Sequence, residues 1–311
     1  MAHASVFGNQ EKVAIVRRVI RGMIDAGAER ILYMPDPYQL IPQAIDGLGL
    51  ERWLTPVEGT FRSSAADTTS AAAAMADGGA RVIVSLGGDG TNRALAKGTC
   101  DVPLIPVSTG TNNVFPVMVE GTVVGLAAGA IAAGTVRAEA VSERCKRIDV
   151  AVDGVPRDLA LIDAAVLDGI FVGSRAVWDL SKVREAVMTR SAPDAIGLSA
   201  IGGMVETVRS EDEAGLHIVL AHDGDPVERR LRAAIAPGLI EEVVLASTRR
   251  LELGATVCVD GPAMFALDGE REFAIKAGER ASLCVTRTGP PVVAIDRCLE
   301  AARDAGFLRM D

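Results

Sequence analysis

Aromatic residues are scarce in this 311-residue chain, at 4% against 49% hydrophobic residues overall. A core of that composition packs on Val, Ile, Leu and Ala, as in an α/β protein, and the hydrophobic fraction excludes a disordered chain. Basic charge is also short, with 32 Lys and Arg against 41 Asp and Glu and a formal net charge of -9. Nucleic-acid binding draws on a basic surface that neutralises phosphates, so no nucleic acid is expected as a partner; a small anion held by a local site is compatible with the charge. Five cysteines, Cys100, Cys145, Cys258, Cys284 and Cys298, form no C-x-x-C pair. Their odd number and spacing argue against a disulfide framework or a zinc site, and a reducing cytoplasm is the expected compartment. No stretch reaches the roughly 20 apolar residues of a membrane span. The nearest approach, Thr122 to Val136, is rich in Ala and Gly and reads as a buried helix. The opening MAHASVFGNQEK lacks the basic start and apolar run of a secretory signal.

A chain of this length favours two domains. From Glu11 to Ala26, Val13, Ile15, Val16, Val19, Ile20 and Ile24 recur mostly at three- and four-residue spacing, which predicts a helix closed by Gly27. Ile31 to Met34 reads as a strand, and Ser64 to Ala76 as a helix stopped by Gly78-Gly79. Arg81 to Leu86 and Val102 to Val107 are apolar runs flanked by helices, the pattern of parallel strands buried on both faces. Beyond about Cys145 the pattern changes. Ile148–Val152, Leu159–Val166, His217–Ala221, Val243–Ser247, Thr256–Val259, Phe273–Lys276 and Ala281–Thr286 read as closely spaced strands joined by Asp-Gly, Gly-Asp and Gly-Glu turns. A helix over Ser174–Met188 is expected to interrupt them, and another over Ala294–Ala305 to end the chain. The expected organisation is a parallel α/β domain over residues 1–140, a β-rich, sandwich-like domain over 141–293, and a C-terminal helix over 294–311 packed back on the first.

Val82-Ile83-Val84-Ser85-Leu86 leads directly into Gly87-Gly88-Asp89-Gly90-Thr91 and then a helical stretch, Asn92 to Lys97. Ligands of open parallel sheets sit at the carboxyl ends of strands. Three glycines let backbone N–H groups face one concavity, and the following helix start favours an anion. The loop is neither a Walker A sequence nor a G-x-G-x-x-G fingerprint. Ser108-Thr109-Gly110-Thr111-Asn112-Asn113 follows the next predicted strand, offering hydroxyls, amides and a glycine from an adjacent strand end.

The GGDGT loop, followed about 20 residues later by Gly-Thr-Asn-Asn, resembles the superfamily of NAD kinases, diacylglycerol kinases and sphingosine kinases. Ser108 to Pro116 is most similar to the branch containing acetoin catabolism protein X. Leu198-Ser199-Ala200-Ile201-Gly202-Gly203 and Asp268-Gly269-Glu270 resemble later segments of NAD kinases, so the likeness covers nearly the whole chain. It implies an NAD-kinase-like fold and an ATP- and Mg²⁺-dependent kinase acting on a hydroxyl of NAD or a related small molecule. It further implies a homo-oligomer and a site in the cleft between the domains. Asp89 would orient and deprotonate the acceptor or help hold Mg²⁺, with Asp268 a second catalytic carboxylate. Gly87, Gly88, Gly90 and Thr91 would cradle phosphates, and Gly110, Thr111, Asn112, Asn113 and Glu270 would line the nucleotide pocket. The direct metal ligands stay unassigned. Two alternatives stand beside this reading: a lipid kinase of the diacylglycerol type, and a non-catalytic NAD(H)- or ATP-binding regulator linked to acetoin catabolism. The regulator is favoured by departures from the pattern: Leu161-Ile162-Asp163 stands where NAD kinases carry Leu-Asn-Glu, and Ser191 to Gly197 replaces Thr-Gly-Ser-Thr-Ala-Tyr.

Other residues carry plainer readings. Asp268-Gly269-Glu270 is equally a hairpin turn. His217 and His222, five apart in a strand, fall on opposite faces and are not joint metal ligands. At most one of Arg249 and Arg250 could reach a phosphate, and a solvated edge accounts for both. The resemblance also implies an opening strand ending in an Asn-Pro-x-x-Gly loop, whereas MAHASVFGNQ passes straight into the helix of Glu11–Ala26. The parallel sheet is therefore expected to lack one strand, either because the start is placed too far downstream, the favoured cause, or because this is a shortened form that has lost part of the site.

Overall fold

The computed structural model describes residues 8–59, 61–62, 64–168 and 180–309. The chain divides into two compact units, one of Ser5–Arg144 with Pro290–Asp311 and the other of Cys145–Gly289.

The first unit opens with helix α1 (Asn9–Asp25), whose buried residues Ile15, Val16, Val19 and Ile20 realise the apolar stripe. Gly27 ends it at φ 93°, a value L side chains avoid. Strand β1 (Ile31–Tyr33) follows, then α2 (Leu40–Ile45) and β2 (Leu54–Pro56), which pairs parallel to β1. Helix α3 (Ala65–Asp77) is started by a capping box: Ser64 Oγ accepts the Asp67 N–H at 3.2 Å, and the Asp67 carboxylate accepts the Ser64 N–H at 2.8 Å. Strand β3 (Ile83–Gly87), helix α4 (Asp89–Ala96) and strand β4 (Leu104–Ser108) form a parallel β–α–β unit, in register from Ile83 opposite Leu104 to Gly87 opposite Ser108. Helix α5 (Gly121–Ala132) packs on α1, where its glycines let the two backbones meet: a Cβ on Gly125 would lie 2.3 Å from the Val19 carbonyl oxygen. Helix α6 (Ala138–Val141) and strand β5 (Ser142–Arg144) end this stretch.

The second unit is antiparallel. Its strands are β6 (Arg147–Val152), β7 (Val155–Ala160), β8 (Asp163–Leu167) and β9 (Val183–Met188), then a short helix α7 (Leu198–Gly203). Next come β10 (Ala214–Leu220), β11 (Arg229–Ala236), β12 (Leu239–Glu252) and β13 (Thr256–Asp260). The last are β14 (Ala263–Leu267), β15 (Glu270–Ile275) and β16 (Arg280–Thr286). A seven-stranded sheet of order β11-β12-β10-β9-β8-β14-β15 stacks on a four-stranded sheet of order β13-β16-β6-β7. Val166, Val187 and Phe265 of the first meet Ile148, Val257 and Leu283 of the second in one core. The other face of the seven-stranded sheet, with Met188, Leu216 and Ile218, is covered by Ala200 and Ile201 of α7. The chain then returns to the first unit, where β17 (Pro291–Val293) pairs parallel to β4 and antiparallel to β5, giving the order β3-β4-β17-β5, and helix α8 (Ile295–Asp304) follows.

Three expectations are corrected. Residues 183–188 of the expected Ser174–Met188 helix are strand β9, while residues 174–179 lie outside the described residues. Strand β9 is central, paired to both β8 and β10, and Val183, Ala186, Val187 and Met188 are buried, so it lacks the polar alternation that marks a strand exposed on one face. The single strand expected over Leu159–Val166 is two, β7 and β8. Between them the N–H groups of Leu161 and Ile162 are drawn to the Asp268 carboxylate instead of a neighbouring strand. Strands β11 and β14 were not anticipated; the Arg-rich start of β11 masks its pattern.

Candidate functional site

The GGDGT loop spans the carboxyl end of β3 and the first turn of α4. Gly88 is the N-cap of α4 and, having no side chain, supplies no capping bond, and the positive end of the helix dipole there favours an anion. The alternative cap, Ser or Asp at this position, would meet Asn113 first: a Cβ on Gly88 would lie 2.7 Å from Asn113 Oδ1. Gly87 is equally constrained, since a Cβ there would lie 2.6 Å from Thr91 Oγ1. Glycine is needed here because the second loop and the helix close in on the backbone.

That second loop, at the carboxyl end of β4, is built around Ser108. Its buried hydroxyl donates to the Gly110 carbonyl at 2.7 Å and accepts from Asn113 Nδ2 at 2.7 Å. Asn113 is thus held by the loop it lies in. Thr111 is exposed and its hydroxyl donates to Asn112 Oδ1 at 3.2 Å. The two loops are joined by Asp89: its Oδ1 accepts the N–H groups of Val114 at 3.1 Å and Phe115 at 2.8 Å, and its Oδ2 accepts that of Val114 at 3.1 Å. The predicted catalytic carboxylate therefore anchors the turn that follows Asn113. Gly87, Gly88, Asp89, Gly90, Thr91, Gly110, Thr111, Asn112 and Asn113 are brought together at neighbouring strand ends, because β3 and β4 are paired parallel with Gly87 opposite Ser108.

Beneath the loop lies a polar pair outside the predicted set. Asn92, fully buried in α4, accepts the Ser85 hydroxyl at 2.6 Å and donates through Nδ2 to the Gly88 carbonyl at 2.9 Å. It fixes the orientation of the peptide at the loop's centre. The available signal was Ser85 itself, a hydroxyl inside an otherwise apolar strand, which needs a buried partner.

Asp268 and Glu270 lie in the Cys145–Gly289 unit. Asp268 (φ 50°) and Gly269 (φ 80°) form the two-residue turn of the β14–β15 hairpin, both in the left-handed region that such a turn demands. The buried Asp268 carboxylate accepts N–H groups of Leu161, Ile162 and Asp163, the shortest at 2.7 Å from Ile162. Ile162, where NAD kinases carry Asn, is core at 1% exposure. Glu270 is exposed at the start of β15. Arg250 pairs with Glu206 on the surface, and His217 Nε2 lies 2.9 Å from Glu185.

The uncapped start of α4 and its glycines suit a nucleotide's phosphates. A magnesium ion carried with a nucleotide needs only one or two protein carboxylates, and Asp89 is the carboxylate this loop contains. Among the described residues no group of three or more His, Cys, Asp or Glu side chains could hold a metal by itself, and no helix is long and apolar enough to cross a membrane.

Residues 10–135 match the family model of the ATP-NAD kinase N-terminal domain, and residues 146–288 that of the acetoin catabolism protein X C-terminal domain. Acetoin catabolism protein X of Cupriavidus necator is 38% identical over 286 residues, which cover 88% of this chain and 79% of that protein. Among solved structures, yeast NADH kinase complexed with NADH shares the fold with a TM-score of 0.55 at 12% identity, over 96% of this chain and 85% of that one.

Proposed function

The chain belongs to the acetoin catabolism protein X family, and on that premise we propose that it is an ATP-dependent phosphotransferase acting on a hydroxyl of NAD or a related small molecule. The observation that carries the reading is the joining of two glycine-bearing loops at the carboxyl ends of β3 and β4 by the Asp89 carboxylate, beside the uncapped start of α4. Gly87, Gly88, Gly90 and Thr91 would hold phosphate oxygens through backbone N–H groups and the Thr91 hydroxyl, while Asn112 and Asn113 would orient the remainder of the nucleotide. A bound magnesium–ATP complex supplies the transferable phosphoryl group and the neutralising charge. Phosphoryl transfer passes through a loose transition state in which positioning and charge stabilisation count for more than base strength. Asp89 suits that demand, because its own position is fixed by two backbone donors.

The test is incubation of the purified chain with γ-labelled ATP and NAD, and in parallel with a small-molecule extract. A labelled product that disappears in Asp89→Asn supports the reading. Tight ATP or NADH binding with no labelled product from either mixture refutes it in favour of the second reading, a non-catalytic nucleotide-binding regulator. One observation favours that second reading: the Asp89 and Asp268 carboxylates both serve backbone N–H groups.

A further inference from the structure

The four-stranded sheet β13-β16-β6-β7 turns one face to the core and the other to solvent. Strand β13 alternates at every step, with Val257 and Val259 in the core and Thr256, Cys258 and Asp260 outside. Its neighbour β16 follows the same period: Ala281, Leu283 and Val285 are buried, while Ser282 and Cys284 lie on the outer face. Two of the chain's cysteines therefore share the outer face of adjacent strands. Cys258 is exposed, Cys284 is half-buried, and both are free thiols. Free cysteine is more often fully buried, as Cys145 and Cys298 are here.

The register sets their separation. In the antiparallel pairing of β13 with β16, Thr256 stands opposite Cys284 and Cys258 opposite Ser282, so the two thiols occupy one diagonal of a four-residue rectangle. Diagonal neighbours lie about 7–8 Å apart, their Cβ atoms somewhat less. A disulfide demands Cβ atoms about 3.5–4.5 Å apart, so this pair does not close on itself without backbone movement. A single metal atom bonded to both sulfurs, at about the 2.3 Å of a zinc–thiolate bond, spreads them to about 4.6 Å when the two bonds are in line. That span suits the diagonal. The other two corners, Thr256 and Ser282, carry short side chains.

We propose that Cys258 and Cys284 form a two-coordinate site for a soft monovalent metal cation of the copper(I) type, held as a bis-thiolate. Thiolate sulfur selects soft ions. The surroundings decide against an ion that needs more ligands. Asp149 of β6 stands opposite Cys284 in the same row, but Arg147 Nε lies 2.7 Å from its Oδ1 and Thr286 Oγ1 donates to its Oδ2 at 2.8 Å. Asp260, two residues along β13 from Cys258, pairs with Arg280 at 3.5 Å. Among the described residues no third His, Cys, Asp or Glu completes a metal-binding group. Zinc, bound by three or four protein ligands, has two here. Binding replaces both S–H protons: two thiols and one M⁺ give an M(SR)₂⁻ anion and release two protons to solvent, with no electron transferred. The ion would tie β13, the edge strand, to β16 through side chains as well as backbone.

The test uses the full chain carrying Cys100→Ser, which removes a further exposed thiol. The reduced protein is titrated with copper(I) under argon against bicinchoninate, a chromophoric copper(I) chelator. One ion per chain is expected to leave the chelator, and Cys258→Ser and Cys284→Ser should each weaken that uptake by about 100-fold or more. Bound copper(I) should also shield Cys258 and Cys284 together from iodoacetamide, and slow amide exchange in β13 while leaving β10 unchanged. Both side chains lie outside the core, so the serine variants should keep the wild-type circular dichroism. Uptake that either serine variant leaves unchanged would overturn the proposal, and zinc held as tightly as copper(I) would overturn its two-coordinate form. Alkylation of the two thiols at an unaltered rate in the copper(I)-loaded Cys100→Ser chain would overturn it whether or not the serine variants fold.

Discussion

Asp89 anchors the backbone N–H groups of Val114 and Phe115, and under the proposed function the same side chain would also act on the acceptor. Asp89→Asn keeps the shape but replaces one accepting oxygen by an NH₂ group that cannot receive the Val114 or Phe115 N–H. Turnover is expected to fall by about 10²–10⁴-fold if the carboxylate acts on the acceptor, and unfolding free energy by about 1–3 kcal/mol because buried donors lose their partner. Denaturant titration beside initial rates separates the two; unchanged stability would show that the loop does not depend on this anchor. Asn92→Ala strands the buried Ser85 hydroxyl and leaves the Gly88 carbonyl only the backbone N–H of residue 92, so weaker ATP binding is expected together with a loss of about 1–3 kcal/mol, read by calorimetry and urea unfolding. Lys146 offers a pH-dependent case. It is buried at 2% exposure, with Nζ donating to the Arg209 carbonyl at 2.8 Å and the Ala214 carbonyl at 2.6 Å. Burial, reinforced by Arg287 and Arg190, pulls its pKa from 10.5 down to about 8. Below about 8 the lysine is charged in both folded and unfolded chains and the burial cost is constant. Between about 8 and 10.5 the unfolded chain holds the extra proton, so this group's contribution to stability rises with pH. Cys145, raised by burial to about 11, works in the opposite direction above 9. The difference between wild type and Lys146→Met, measured by urea unfolding at several pH values, isolates the lysine and should change across that window; a flat difference would reject the assignment.

Among the elements, those governed by local rules were legible. Helix α1 followed from its apolar spacing, α3 from Ser64 and Gly78, and the β3–α4 turn from its glycines, because each is set by residues within a few positions. Helix α5 shows a different control. Its backbone approach to α1 leaves no room at Gly125, where a Cβ would stand 2.3 Å from the Val19 carbonyl oxygen. Gly125→Ala is therefore expected to destabilise the chain by about 1–3 kcal/mol through overpacking, despite alanine's better helix propensity. A thermal midpoint equal to or above wild type would show that the helices can part without cost. Strand β9 was misread as helix for a related reason: a strand buried on both faces carries no polar alternation, and only its pairing with β8 and β10 fixes it as a strand. The break between β7 and β8 was hidden too, since its cause, Asp268, lies 107 residues from Leu161 in sequence.

At the scale of the whole molecule, Cys145–Gly289 is a continuous segment with its own two apolar cores, whereas the other unit draws on both ends of the chain. Residues 145–289 expressed alone are expected to unfold cooperatively with native-like β circular dichroism, while residues 1–144 without 290–311 lose β17 and α8 and should not. A non-cooperative transition in the 145–289 fragment would show that its cores need the rest of the chain. The amino-acid sequence by itself determined the α/β class, the succession of most helices and strands, and the glycine-bearing loops at the ends of β3 and β4, because composition, periodicity and glycine placement act over short range. Tertiary structure alone decided that β17 returns to β4, that Asn92 and Ser85 meet beneath the loop, and that Asp89 and Asp268 accept backbone N–H groups from distant turns. Those outcomes rest on hydrogen bonds between residues far apart in the chain, whose partners become identifiable only when burial forces each polar group to find one.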